Sequence, residues 1–265
     1  TNGVYIYLGG NNDVLGNSIG VNRLGALALA NGRSGVVITN ASSCSVGDSS
    51  GEARNIIAGD GDDGVDILGS VAIGNMVQGN YIGLGTNGFA AIPNGDDGVV
   101  LASECTQNLV GDNSGTLGRN VISGNDGCGV RIERAAFGNF VLANYIGVNR
   151  LGIAAVENRE HGVLLVDGAT GNNIGDGSIT SSGNLISGNG VSNLWHGVCI
   201  ASNANDNLVD GNVIGLGANN LPVANYGDGV HVEGAHSNMI GSLSAAGGNV
   251  ISGNYGDGVQ IGPGA

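Results

Sequence analysis

The stretch N-V-I-S-G-N occupies residues 120–125 and returns letter for letter at 249–254. N-L-I-S-G-N stands between them at 184–189, and N-I-I-A-G-D precedes them at 55–60. A second motif interleaves with the first: N-S-I-G-V-N from 17, N-Y-I-G-L-G from 80, N-Y-I-G-V-N from 144 and N-V-I-G-L-G from 212. A third, G-V-x-[ILV], starts at Gly3, Gly35, Gly64, Gly98, Gly129, Gly162, Gly197, Gly229 and Gly258, with gaps of 29–35 residues. Self-similarity at such a period marks a repeat architecture and decides the fold before any local reading.

Helical solenoids have similar periods, but the side-chain pattern excludes them. The units V-x-I and N-V-I-S-G-N alternate with period two, use β-branched residues and are bounded by Gly, Asn and Asp. Glycine makes up 53 of the 265 residues, and each one inside a helix would cost about 1 kcal/mol. With three prolines and no triplet period, collagen is also excluded.

Short strands at a period too long for one hairpin describe a coil in which each turn stacks on the last, parallel and in register, about 4.8 Å away. The expected fold is all-β: a right-handed parallel β-helix of about eight turns of about 32 residues, forming one domain over 1–265. In G-V-x-I the apolar pair points inward and x points out. Asn suits tight corners and can form hydrogen-bonded ladders when stacked. Asn17, Asn80, Asn144 and Asn212 form one expected column, and Asn55, Asn120, Asn184 and Asn249 another. Inserts follow N-x-I-G in odd turns (20–34, 147–161). In even turns they precede N-[VIL]-I-S-G-N (111–119, 175–183), so they alternate between two flanks.

The repeated phrase N-x-I-G, G-V-x-I, R-N-V-I-S-G-N resembles the parallel β-helix repeats of large secreted or surface proteins of bacteria, within the pectate-lyase-like superfamily. The resemblance covers the whole chain. It implies the fold, and a secreted or cell-surface location in proteins that are often adhesive. The superfamily's hydrolase motifs N-T-D and G-H-G are absent; E-H-G at 160–162 and W-H-G at 195–197 echo the latter in part. Its lyases use Arg or Lys as base beside calcium; Lys is missing here, and Arg131 and Arg134 have no evident counterpart.

The formal charge of −14, with Arg supplying every basic residue, disfavours nucleic acid and anionic membrane surfaces as partners. No apolar run reaches the roughly 18 residues of a spanning helix. Cys44, Cys105, Cys128 and Cys199 match no CxxC spacing and read as unpaired thiols. The sequon at Asn40–Ser42 matters only in a eukaryotic secretory setting.

The residue before each G-V-x-I glycine forms a further column: Ser34, Asp63, Asp97, Cys128, His161, His196, Asp228 and Asp257. Cys128, His161 and His196 are consecutive in it and are zinc-compatible ligand types; the plainer reading is a turn position open to any small or polar residue. Asp60, Asp62, Asp63 and Asp66, in G-D-G-D-D-G-V-D-I, are hard oxygen ligands, so calcium is conceivable, against a solvated turn. A polysaccharide hydrolase would need two carboxylates about 5–10 Å apart. The doublets Asp62–Asp63 and Asp96–Asp97 supply candidates, with Asp63, Asp97, His161 and His196 as the residues to test. Trp195 is the best single aromatic for a ligand contact, or a loop anchor.

Both ends fall at a strand without a capping helix, as expected of a segment of a longer β-helix or of a unit that stacks end to end on copies of itself. The leading functional expectation is a non-catalytic extracellular module of a surface, adhesive or filament-forming protein. The alternative is a carbohydrate-active enzyme or polysaccharide binder of the pectate-lyase-like class.

Overall fold

The computed structural model describes residues 1–113, 117–177, 182–244 and 247–265. The centres of two even-turn inserts, 114–116 and 178–181, lie outside these residues. Among the described residues there is no helix, and three parallel sheets run the length of a β-solenoid of about eight turns.

The G-V-x-I units build the first sheet, of nine strands. Its register is strict: Val4, Val36, Val65, Val99, Val130, Val163, Val198, Val230 and Val259 form one column, with an Ile, Leu or Val column two residues on. The inner residues of the middle turns are fully buried. This is the in-register stacking expected from the pattern, each aliphatic side chain packing on its own equivalent. The glycine before each valine is required by close approach. A Cβ on Gly98 would lie 2.6 Å from the Gly129 carbonyl oxygen and 2.4 Å from Ile122.

The two Asn motifs, expected as separate columns, are one. The strands that follow Asn17, Asn55, Asn80, Asn120, Asn144, Asn184, Asn212 and Asn249 pair consecutively in the third sheet. In that order each Nδ2 donates to the next Oδ1 at 2.9–3.1 Å. Alternating inserts stretch the sequence spacing to 38, 25, 40, 24, 40, 28 and 37 residues, which disguises a single ladder as two.

Two further ladders were not expected. Asn75, Asn108, Asn139, Asn172, Asn207 and Asn238 form one, with rungs of 2.9–3.2 Å. Asn94, Asn125, Asn158, Asn189, Asn225 and Asn254 form the other, at 2.8–2.9 Å.

Each letter of N-V-I-S-G-N has a place, with Val121 packed in an apolar cluster beside Ile56 and Tyr81. Asn120 is a rung of the first ladder and Asn125 of the last. Ile122 fills the core. Ser123 Oγ donates to Val148 O at 2.8 Å and accepts from Gly147 N at 3.0 Å, tying the next turn down. Gly124 turns the corner at φ +79°, the left-handed region that glycine adopts without strain. The left-handed corner falls on this glycine and not on the ladder asparagines, which earn their place by hydrogen bonding.

The odd-turn inserts form small antiparallel hairpins, bridged at Val21–Ala28, Leu84–Ala91, Val148–Ala155 and Leu216–Pro222. They stack on one flank through Thr86 N to Gly25 O, Arg150 N to Gly88 O and Ala218 N to Gly152 O. All four cysteines are free and buried.

Candidate functional site

The outward face of the first sheet, with the corner leading into it, carries a row of titratable side chains. Five of the residues that precede a glycine hold the backbone of the next turn there. Asp63 Oδ1 accepts the backbone N–H of Asp97 at 2.9 Å, and Asp97 Oδ1 that of Cys128 at 2.6 Å. His161 Nδ1 accepts from His196 N at 3.0 Å, His196 Nδ1 from Asp228 N at 2.9 Å, and Asp228 Oδ1 from Asp257 N at 2.7 Å. These five positions need an acceptor, which carboxylate and neutral imidazole both provide, whereas Ser34 donates to Asp66 and Cys128 faces Glu160 and Arg131.

This fixes two tautomers. A backbone N–H can only donate, so Nδ1 of His161 and of His196 holds a lone pair and Nε2 holds the hydrogen. Burial, then the neighbouring imidazole of His196, holds His161 down at about 3. Burial, then His231, holds His196 down at about 4. Both are uncharged Nε2–H donors near neutrality.

His231 is different. It occupies the outward x position of its strand, in register with Cys199 and Gln260. Its Nδ1 lies 2.9 Å from Asp228 Oδ2. A carboxylate oxygen accepts, so Nδ1 carries the hydrogen. Nε2 is left on the groove side, 3.6 Å from Glu233 Oε2. The His196 and His231 rings stack at 4.2 Å and 9°, and His161 stacks on His196 at 5.4 Å. Asp228 thus orients the imidazole while its other oxygen holds the next turn. The groove over this cluster has a volume of about 1070 Å³. Tyr226 and Tyr255 line it, 5.4 Å apart in a T-shaped pair, and both are exposed. Trp195 instead sets its edge against His161 at 5.0 Å and anchors its loop.

Towards the N-terminal end of the same sheet lies a second hollow of about 410 Å³, lined by Asp62, Asp63, Asp66, Asp96, Asp97, Arg131, Glu133 and Arg134. Arg131 is ion-paired with Asp97 and lies 3.5 Å from Glu160. Asp66 Oδ2 accepts from the Ser34 hydroxyl at 2.7 Å. Burial, followed by the charge of Asp66, pushes Asp63 up to about 9, so Asp63 keeps its proton at neutrality. Burial, followed by the charge of Asp97, raises Asp96 to about 6.

The structure regroups the residues singled out from the sequence. Cys128, His161 and His196 follow one another along the column, but their donor atoms do not form one set: both Nδ1 atoms are occupied by backbone N–H groups, and Cys128 Sγ faces Glu160 and Arg131. Of the four expected calcium ligands, Asp62 and Asp63 come together with Asp96. Asp60 is drawn away into the third asparagine ladder, where it accepts from Asn31 Nδ2 at 2.8 Å, and Asp66 turns to Ser34. His196, Asp228 and His231 gather within 4.8 Å, as do Asp97, Cys128 and Glu160. Burial pushes the Cys105 and Cys199 thiols up to about 12 and that of Cys128 well above its usual value. His231, Tyr226 and Tyr255 were not expected; the signal for His231 was a polar residue at an x position three residues after Asp228.

No family model matches the chain, nor does any curated protein. Among solved structures it is similar to the crystal structure of the periplasmic alginate epimerase AlgG, with 16% identity and a TM-score of 0.55 over 86% of this chain and 46% of that one. A double mutant of AlgG matches at 16% identity and a TM-score of 0.53, over 93% of this chain and 55% of that one. The chain spans about half the length of the structures it matches. The likeness lies in the fold, and with the three stacked sheets it identifies this chain as a parallel β-helix repeat, as its sequence motifs imply.

Proposed function

We propose that this protein is a carbohydrate-active enzyme that holds a polysaccharide along the groove on the first sheet and acts on it by acid–base chemistry. The observation that carries this reading is the His231–Asp228 pair: an imidazole held at Nδ1 by a carboxylate, with Nε2 beside Glu233 in the lining of an open groove. Such a nitrogen can take a proton from a bound sugar and return it. The Nε2–H of His196, stacked on it, is placed to donate to a sugar oxygen. Tyr226 and Tyr255 offer exposed ring faces for pyranose contacts. The architectural likeness to an enzyme named for its action on alginate in the periplasm supports the same class. It also favours a location outside the cytoplasm; among the described residues no helix is long and apolar enough to cross a membrane.

A purely structural or adhesive rod explains the repeat, but it gives no role to an oriented imidazole in a groove. The test is incubation with a panel of neutral, anionic and amine-bearing polysaccharides, followed by NMR of the polymer for cleavage, unsaturation or epimerisation. Wild type changes one polymer, and His231→Gln slows that change about 10²–10⁴-fold. Loss of the reading follows if wild type leaves every polymer unchanged or if His231→Gln works equally well.

A further inference from the structure

We infer that two copies of this chain associate side by side and antiparallel through the ridge of four stacked hairpins on the third-sheet flank. The inference is independent of the reading of the first-sheet groove.

The hairpins have an inner and an outer side. On the inner side Val21, Leu84 and Ile92 are buried with Ile56, Tyr81 and Val121 of the third sheet, and Val148 and Val223 with Leu185. They seal the outer face of that sheet. On the outer side Leu24, Leu27, Phe89, Leu151, Ile153 and Leu221 are 42–76% exposed and seal nothing. They recur in register. Phe89, Ile153 and Leu221 each stand five residues after the first bridge residue of their hairpin, and Leu24 and Leu151 three residues after theirs. The hairpins return every second turn, so at about 4.8 Å per turn the apolar ridge is about 30 Å long. A continuous exposed surface of this kind marks a contact with another molecule.

Charge says which molecule. The chain carries 22 Asp and Glu residues and a formal charge of −14, so two copies repel each other across most of their surface. The four hairpins (21–28, 84–91, 148–155 and 216–222) contain no carboxylate and two arginines, Arg23 and Arg150. The ridge is therefore a face on which two copies can meet without opposing their acidic groups. The order of the hairpins selects the orientation. Arg23 is in the first and Arg150 in the third, while the second and fourth are uncharged. Parallel copies would set Arg23 against Arg23. A two-fold axis across the middle of the ridge sets the first hairpin against the fourth and the second against the third, so each arginine meets an uncharged hairpin. The resulting contact is self-complementary, as a closed dimer requires. A hollow of about 230 Å³ between the first two hairpins, lined by Leu24, Ala26, Thr86, Ala90 and Ile92 among others, then lies at the end of the ridge that faces Leu221 of the second copy.

The test is sedimentation equilibrium over a wide range of protein concentration. Wild type should dimerise. Ile153→Arg and Leu221→Arg should each weaken the dimer at least about tenfold, since each enters the contact twice, and leave thermal unfolding of the monomer unchanged. Val71→Arg, exposed between the first and second sheets, should leave the dimer intact. The four native thiols are buried, so a short bis-maleimide reads the orientation: the double variant Leu24→Cys, Leu221→Cys should give covalent dimers and Leu24→Cys alone none. A wild type that stays monomeric at every concentration, or a dimer indifferent to Ile153→Arg and Leu221→Arg, would overturn the inference. Cross-linking of Leu24→Cys alone would mean a parallel pair and overturn the antiparallel one. A monomer that floats with phosphatidylcholine vesicles, and loses this with Leu221→Arg, would give the ridge to a lipid surface and overturn it likewise.

Discussion

Asp60 gives its backbone N–H to Asn94 Oδ1 at 3.1 Å but has no side-chain N–H for the same oxygen. The other rungs of this ladder from Asn94 onward supply the side-chain bond: Asn125 reaches Asn158 Oδ1 with Nδ2 at 2.8 Å. Asp60 Oδ2 sits where its neighbours carry Nδ2, beside Gly35, as Asn94 Nδ2 sits beside Gly64. The oxygen is buried and without a donor. Burial raises the Asp60 carboxyl to about 6, and a proton on Oδ2 restores the missing bond.

Asp60→Asn should therefore stabilise the protein at pH 7, by about 1–3 kcal/mol in urea unfolding. Asp60 binds its proton more tightly folded than unfolded, so its contribution is present below pH 3.8 and is lost as pH rises through about 6. The gap between variant and wild type should open across that window and level off above it. A variant no more stable than wild type at pH 7 would refute this account of the rung.

A break in the first ladder should act in the opposite sense. Asn120 accepts from Asn80 and donates to Asn144 Oδ1 and Val77 O, fully buried. Asn120→Ala leaves these partners unmet and should cost about 3 kcal/mol or more. Asn17→Ala, at the exposed first rung, should cost well under half of that. Equal losses would show that the ladder does not carry the stability assigned to it.

The corner column makes a separable prediction. His161→Asn keeps an acceptor for His196 N–H, whereas His161→Leu buries that N–H without one. Both lose the edge contact with Trp195, so the difference isolates the hydrogen bond. His161→Leu should be less stable than His161→Asn by about 1–3 kcal/mol. Parity between the two would mean the position does not need an acceptor.

These cases mark what the sequence made legible. G-V-x-I gave the core register residue by residue, since an aliphatic side chain that stacks on its equivalent must recur at the same place. The ladder through Asn75 was also within reach: N-[MLFN]-[VI] recurs from 75 at gaps of 31–35 residues. It was hidden because the letters around it vary. The equivalence of Asn17 and Asn55 was not visible, because inserts on alternating flanks shift their spacing. The functional residues were harder. An x position was read as facing solvent, which is true of its direction but not of its surroundings: corner side chains rise beside it, so Asp66 is buried and His231 is oriented. Cys128, His161 and His196 follow one another along the turns. Nδ1 of each histidine is committed to a backbone N–H and Cys128 Sγ to Glu160 and Arg131, which no sequence pattern displays.

The most direct test of the groove chemistry is nitrogen-15 NMR of the four histidines, His161, His196, His231 and His236, at pH 7, alone and with a bound oligosaccharide. The structure predicts His161 and His196 as neutral Nε2–H tautomers and His231 with its hydrogen on Nδ1. On binding, the Nε2 signals of His231 and His196 should move, while His236, exposed and outside the groove lining, stays fixed. Charged or Nδ1–H forms of His161 and His196, or an oligosaccharide that moves His236 and leaves His231 untouched, would contradict the account.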